Sequence, residues 1–223
     1  MVAHIDREEC TLYTLHVRRL FILMVSLSVL SGCGISTGSA ESDYKVGMMY
    51  LHGIGLTQNY QEGFQWILKS AKAGYSKAEF QLGTLYDAGL GTDKDPSEAY
   101  RWFQKAADAD IPEAWYNVGN ALRSGIGIEQ DYRAAIKAYE KAAAMGYGPA
   151  AHNLGAMAGN GEGRPQSDTD AYRWLFTAWK LGVKADEGYK ERFISSFSKK
   201  IKEEIESGVL KTISEAASSD KEQ

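Results

Sequence analysis

The sequence predicts an all-α fold made of four tandem helix pairs, each pair 36 residues long. Glycines recur in register every 36 residues, and each unit carries two helical patterns of apolar residues. No insertion or deletion breaks the register from about residue 41 to residue 183. Periods of roughly 20 to 50 residues are typical of proteins whose units stack on one another.

The glycine register is the strongest of these observations. The chain has 23 glycines among 223 residues, whereas about 7% glycine is typical. Fifteen of them occupy four positions of the repeat, so we assign them to turns and close contacts rather than to flexible linkers. These positions are Gly47, Gly83, Gly119 and Gly155; Gly53, Gly89, Gly125 and Gly161; Gly55, Gly91, Gly127 and Gly163; and Gly74, Gly146 and Gly182, with Asp110 in the remaining place.

The second unit illustrates how the residues specify two helices. Leu82, Leu85 and Tyr86 have helical spacing, and the glycines that follow end this first helix. Asp95 and Pro96 begin the second helix, with aspartate as N-cap and proline at the first helical position. The apolar stripe of that helix comprises Ala99, Trp102, Phe103, Ala106 and Ala107.

Gly83 and its equivalents lie inside the first helix of each unit. Glycine at such a position costs about 1 kcal/mol relative to alanine. Its recurrence in phase therefore predicts that two helices cross there so closely that no Cβ fits.

The residues of the third unit carry a family resemblance. Residues 114–146, AWYNVGNALRSGIGIEQDYRAAIKAYEKAAAMG, resemble the Sel-1-like repeat, a relative of the tetratricopeptide repeat. The second unit matches nearly every position of the family pattern, whereas the fourth departs most, for example with Ala158 in place of tyrosine. The resemblance covers four units of 36 residues. It implies an α/α solenoid, a right-handed stack of antiparallel helix pairs.

The segment after the repeats is helical in pattern but off the repeat register. Seven large apolar residues recur every four positions, with lysine and glutamate between them. A solenoid end exposes apolar surface, and a helix with one apolar stripe covers it. We therefore predict a capping helix, and a partner-binding amphipathic helix is the alternative. The seven are Tyr189, Phe193, Phe197, Ile201, Ile205, Val209 and Ile213.

The N-terminal residues have the layout of a bacterial secretion signal. Arg18 and Arg19 precede an apolar run at 20–30, which is too short for a stable membrane span of about 20 residues. The sequence from Leu30 to Cys33 resembles the lipobox of bacterial lipoproteins. That resemblance implies cleavage before Cys33, lipid on its sulfur, and anchoring by several acyl chains. Gly34, which is not acidic, favours the outer membrane in enteric-type bacteria.

Composition and motifs exclude several function classes. The net charge of −4 gives no general attraction to nucleic acid or anionic lipid. Two cysteines and four histidines without ligand spacing predict no metal site and no disulfide framework. The S-x-x-K match at 196–199 lacks its companion motifs, so we predict no enzyme activity and no cofactor.

The candidate binding residues lie on the first helix of each unit, which lines the concave groove by analogy with the tetratricopeptide repeat. One row is aromatic and one carries amides, so rings would cover a peptide's side chains and amides would bond its backbone. The alternative is that both rows serve packing between helices. The rows are Tyr44, Phe80, Tyr116 and His152, and Lys45, Gln81, Asn117 and Asn153. Asp87 and Arg123 share a further phase that we expect to be exposed.

The predicted organisation is a signal peptide at 1–32, a flexible tether at 33–43, four repeats at 44–183, a helical cap at 184–217 and a disordered tail at 218–223. The predicted function is a non-catalytic protein–protein interaction scaffold, anchored by lipid to the periplasmic side of the outer membrane. The alternatives are a hydrolase of the cell wall or of β-lactams, and a surface-exposed factor that contacts a host.

Overall fold

The computed structural model describes residues 38–184, 195 and 199–219, and all regular structure in these residues is helical. Eight helices of 13 residues form four pairs. They are α1 (Ala40–His52), α2 (Tyr60–Lys72), α3 (Ser76–Ala88), α4 (Pro96–Asp108), α5 (Pro112–Ser124), α6 (Tyr132–Ala144), α7 (Gly148–Asn160) and α8 (Asp168–Lys180). A ninth helix, α9 (Lys199–Ser219), follows. We call the first helix of each pair an A helix and the second a B helix.

Each helix packs against the helices before and after it along the chain, so the four pairs stack in sequence order. The predicted solenoid of four helix-pair repeats is therefore confirmed. The fold begins earlier than the predicted boundary at 44, because α1 starts at Ala40. The Ser39 hydroxyl accepts a hydrogen bond from the Ser42 N–H, and Glu41 and Asp43 favour the first turn of the helix.

The two ends of each A helix differ in how their backbone groups are satisfied. Glycine in the left-handed conformation ends every A helix, with φ between 68° and 73°, and its N–H bonds back to the helix. The B helices then begin with polar N-caps at Asn59, Asp95, Asp131 and Ser167. The predicted N-cap at Asp95 is confirmed.

The glycines inside the A helices lie where a B helix crosses. A Cβ placed on Gly83 would come within 2.7 Å of the Phe103 ring, and one on Gly119 within 2.6 Å of the Tyr139 ring. Gly47 and Gly155 face Ile67 and Leu175 in the same way. The predicted close crossing is confirmed at all four positions.

The fourth glycine position of the repeat closes the B helices. Gly74, Gly146 and Gly182 have φ between 82° and 90° there. Asp110 replaces glycine in the second repeat and is the one described non-glycine residue with positive φ, at 57°. Aspartate tolerates this region better than most side chains, so the repeat keeps its register without the glycine.

In the described residues the core forms three clusters along the stack, and the last of them lies under α9. One cluster joins the first two repeats and a second joins the second to the fourth. At the C-terminal end, Ile205 and Val209 of α9 pack on Tyr172 and Phe176 of α8, and all four are buried. Tyr189, Phe193 and Phe197 of the predicted stripe lie outside the described residues. Helix α9 ends at Ser219, two residues beyond the predicted boundary at 217.

Candidate functional site

The aromatic row of the A helices is largely engaged in packing. The Tyr44 ring lies 5.3 Å from that of Tyr75, and the Phe80 ring 5.8 Å from that of Phe103. Tyr116 packs against two tyrosines, with centroids 5.2 and 5.9 Å away. These three rings are half-buried, so much of their surface already serves contacts between helices. His152, in the same phase of the fourth repeat, is exposed.

The second row divides into residues with different roles. Lys45 is exposed and pairs with Glu41 on its own helix, with Nζ 2.7 Å from Oε1. Asn153 donates from its side-chain amide to Asn120 Oδ1 at 3.2 Å, so it joins the third repeat to the fourth. Gln81 is half-buried on α3. Asn117 is half-buried on α5, and its side chain lines an open cleft.

This cleft lies between α3 and α5, with α4 behind it, and has a volume of about 400 Å³. Polar side chains from both A helices face it, and α4 contributes aromatic and aliphatic groups. Such a mixture of apolar wall and sparse hydrogen-bonding groups is typical of ligand and peptide sites. The lining residues are Thr84, Asp87, Pro96, Ala99, Tyr100, Phe103, Asn117, Asn120, Ala121, Ser124 and Ile126.

One wall of the cleft is held rigid by a buried tyrosine. The Tyr139 hydroxyl donates to Asn120 Oδ1 at 2.7 Å, and the same oxygen accepts from Asn153. Burial raises the pKa of Tyr139 from 10.0 to about 12, so its hydroxyl remains a donor even at pH values where an exposed tyrosine ionises. Asn120 is thereby fixed beside Asn117 on the same helix.

Arg123 is less exposed than its sequence phase suggests. Its guanidinium donates twice to the Glu162 carboxylate, from Nε at 2.7 Å and from Nη2 at 3.0 Å. The side chains of Arg123 and Glu162 are 28% and 19% exposed, so the ion pair that links these two repeats is partly shielded from water. Asp87 is exposed and lines the cleft.

The pairing of Arg123 with Glu162 makes stability depend on pH. Hydrogen bonding from Arg123 holds the pKa of Glu162 below its usual value. A lowered folded-state pKa stabilises the protein above the unfolded value, about 4.3, and this contribution is lost as pH falls through the folded value. We expect Glu162→Gln to flatten the decline in unfolding free energy between about pH 5 and pH 3. Urea titrations at several pH values measure the unfolding free energy of both proteins. If it depends on pH in the same way in the variant and the wild type, the ion pair is not the source of the pH dependence.

A second, larger cavity lies between α6, α8 and α9 and has a volume of about 1140 Å³. Its lining is mainly apolar and includes Trp174 and Leu181, together with Ile205 and Val209 of α9. It therefore lies beside the contact that joins the last repeat to the C-terminal helix.

The described residues contain no cluster of three His, Cys, Asp or Glu side chains arranged to hold a metal ion. Across 38–184 and 199–219, no helix combines the length and apolar character that a membrane span requires. Cys33 and Ser196 both lie outside the described residues. Lys199, which ends the S-x-x-K match, is exposed and lies 3.7 Å from Glu203 on α9.

Four stacked helix pairs with a cleft between successive A helices define an α-helical repeat protein of the solenoid class. The family model of the Sel1 repeat matches residues 40–75, 76–111, 112–147 and 148–183. The chain therefore belongs to the Sel1 repeat family. No match was found among curated proteins.

Several solved structures resemble this chain, including two that are 31% and 30% identical to it. A Sel1 repeat protein from Oxalobacter formigenes is 31% identical with a TM-score of 0.62, over 65% of this chain and 59% of that one. The second, c5321, is a protective antigen present in uropathogenic Escherichia coli strains that displays an SLR fold. It is 30% identical with a TM-score of 0.63, over 64% of this chain and 31% of that one. The similarity thus spans less than two thirds of either relative.

Proposed function

We propose that this chain is a non-catalytic protein-binding scaffold, anchored by lipid at Cys33 in a bacterial cell envelope. Sel1 repeat proteins are generally protein-interaction scaffolds and are typically non-catalytic. The observation that carries the proposal is the cleft between α3 and α5, which is lined by Asn117 and by Asn120, whose side chain is fixed by Tyr139. The occupant is a segment of a partner protein.

The chemistry of the cleft suits an extended peptide. The Asn117 amide supplies both a donor and an acceptor, which match a peptide N–H and C=O. Phe103 and Ala99 are buried side chains that reach the cleft from α4 and offer apolar contact. Because Asn120 is already bonded to Tyr139 and Asn153, the wall needs little ordering when a peptide binds.

The cleft is tested by Asn117→Ala in cells, with chemical crosslinking and quantitative mass spectrometry of the captured proteins. Loss of the bonds that Asn117 makes lowers affinity by about 10-fold, because a hydrogen bond contributes about 1 kcal/mol or more. The matched control is Lys137→Ala, at an exposed position on α6. Equal capture by Asn117→Ala and wild type, with equal thermal stability, contradicts the proposal.

The anchor rests on the basic pair, the apolar run and the lipobox-like residues before Cys33. Cys33→Ala is expected to abolish incorporation of radiolabelled palmitate and to release the protein from the membrane fraction, because several acyl chains are needed for stable anchoring. Cys10→Ala is the control. If Cys33→Ala still incorporates palmitate and still fractionates with membranes, the anchor is not at Cys33.

A further inference from the structure

The turns that join each A helix to its B helix are stacked along one edge of the fold. Each turn contains two glycines with positive φ around one central residue. The second glycine lies against the first residue of the preceding B helix: Gly91 against Tyr60, Gly127 against Pro96 and Gly163 against Tyr132. The Ser97 hydroxyl also donates to the Gly127 carbonyl at 2.8 Å. The turns are therefore held at fixed positions relative to one another.

The central residues of the first three turns are aliphatic and exposed. Ile54 is 62% exposed, Leu90 37% and Ile126 57%, and they are 36 residues apart along the chain. We call these three residues the turn edge. Only six large hydrophobic residues are exposed in the described part of the chain, and the turn edge with Tyr60 accounts for four of them. A regular row of exposed aliphatic side chains on a rigid backbone is typical of an interaction surface.

The surroundings of Leu90 and Ile126 are acidic, whereas segment 51–59 around Ile54 contains no acidic residue. The segments 87–95 and 123–131 contain five acidic residues and two basic ones. Asp87, Asp93 and Glu129 are exposed, as is Lys94, whereas Arg123 is bound to Glu162. The free charge around Leu90 and Ile126 is thus predominantly negative.

The turn edge ends at the fourth repeat and leads into the cleft. Glu162 takes the central position of the fourth turn and is bound to Arg123, so the aliphatic row stops there. Ile126 and Asp87 both line the 400 Å³ cleft between α3 and α5. A partner that enters this cleft therefore meets the turn edge at its mouth.

From this geometry we infer that the turn edge binds a partner-protein segment that carries aliphatic side chains separated by lysine or arginine. This inference rests on the proposed function and specifies the chemistry of the partner. Aliphatic groups of the segment cover Ile54, Leu90 and Ile126, and its cations face the exposed carboxylates. A second copy of this chain on the same edge would place its acidic residues against those of the first copy, which is unfavourable. An anionic lipid surface is repelled for the same reason.

The test uses the purified full chain and fluorescein-labelled peptides, with binding followed by fluorescence anisotropy. The probe alternates leucine with lysine and serine, and a matched peptide carries glutamate in place of lysine. We expect the basic peptide to bind and the acidic one not to bind. The triple variant Ile54→Ser, Leu90→Ser and Ile126→Ser is expected to bind the basic peptide at least about 10-fold more weakly, because each substitution removes apolar surface that the peptide would bury. The control variant, Met145→Ser with Leu210→Ser, changes two exposed hydrophobic residues away from this edge and retains binding.

Several results overturn the inference. They are equal binding of the acidic peptide, unchanged binding by the triple serine variant, or no binding of the basic peptide by the wild type. If the wild type self-associates in sedimentation velocity and the triple serine variant does not, the turn edge binds a second copy of this chain instead. Asn117→Ala separates the two proposals. If Asn117→Ala abolishes peptide binding and the triple serine variant does not, the cleft is the binding site and the turn edge is not. If only the triple serine variant loses binding, the cleft is not the binding site.

Discussion

Replacing Ile205 by aspartate is expected to reduce the free energy of unfolding by about 2–4 kcal/mol, because it removes a buried aliphatic side chain and leaves a carboxylate in its place. Ile205 is 7% exposed and packs on Tyr172 and Phe176 at the end of the last repeat. Beside it, the Tyr172 hydroxyl donates to Glu206 at 2.7 Å. A charge at position 205 therefore separates α9 from α8 and exposes two aromatic rings to water.

The matched control for this change lies five residues further along the same helix. Leu210 is 47% exposed, so Leu210→Asp keeps the contact with α8 and changes the unfolding free energy by about 0.5 kcal/mol or less. Urea titrations followed by circular dichroism compare the two variants. Equal stability of Ile205→Asp and Leu210→Asp would mean that α9 does not contribute to the stability of the last repeat.

The second large effect is expected for Gly119→Ala. Its new Cβ would lie 2.6 Å from the Tyr139 ring, which is fully buried and held by its hydroxyl on Asn120. The ring has no room to move, so overpacking costs about 1–3 kcal/mol and exceeds the gain of about 1 kcal/mol in helix propensity. We expect a net loss in unfolding free energy of up to about 2 kcal/mol.

A helical glycine without such a neighbour gives the opposite sign. Gly208 of α9 has no atom within 4 Å of the position its Cβ would take. Gly208→Ala should therefore raise the unfolding free energy by about 0.5–1 kcal/mol. The same urea titrations measure both variants, and stabilisation by Gly119→Ala would show that the crossing of α5 and α6 does not require glycine.

The repeat register made the fold predictable from the sequence. Four glycine positions and the Asp95 N-cap indicate backbone conformations directly, because few other residues adopt them at low cost. The start of α1 was harder to predict from the sequence. Ser39 lies in a polar, serine-rich segment that is typical of a tether, and its capping role depends on the helix that follows.

The candidate site was only partly predictable, because its contacts join residues from different repeats. Asn120 and Asn153 are 33 positions apart, and Arg123 and Glu162 are 39 apart. The sequence gives these side chains a phase on a helix but no partner. Asn117 and Asn153 share one phase, but the residue equivalent to Asn120 in the preceding repeat is Thr84, whose hydroxyl donates to the Phe80 carbonyl. The central turn residues were visible as repeats, but their exposure depends on the stacking of the turns.

The cleft between α3 and α5 is proposed to hold a segment of a partner protein. Photocrosslinking in living cells tests it most directly, with benzoylphenylalanine introduced at Ala121 in the cleft and, as control, at the exposed Lys137 on α6. We expect a discrete adduct with a protein from position 121, absent from position 137 and diminished by Asn117→Ala. Adducts that are the same from both positions, or that Asn117→Ala leaves unchanged, contradict it.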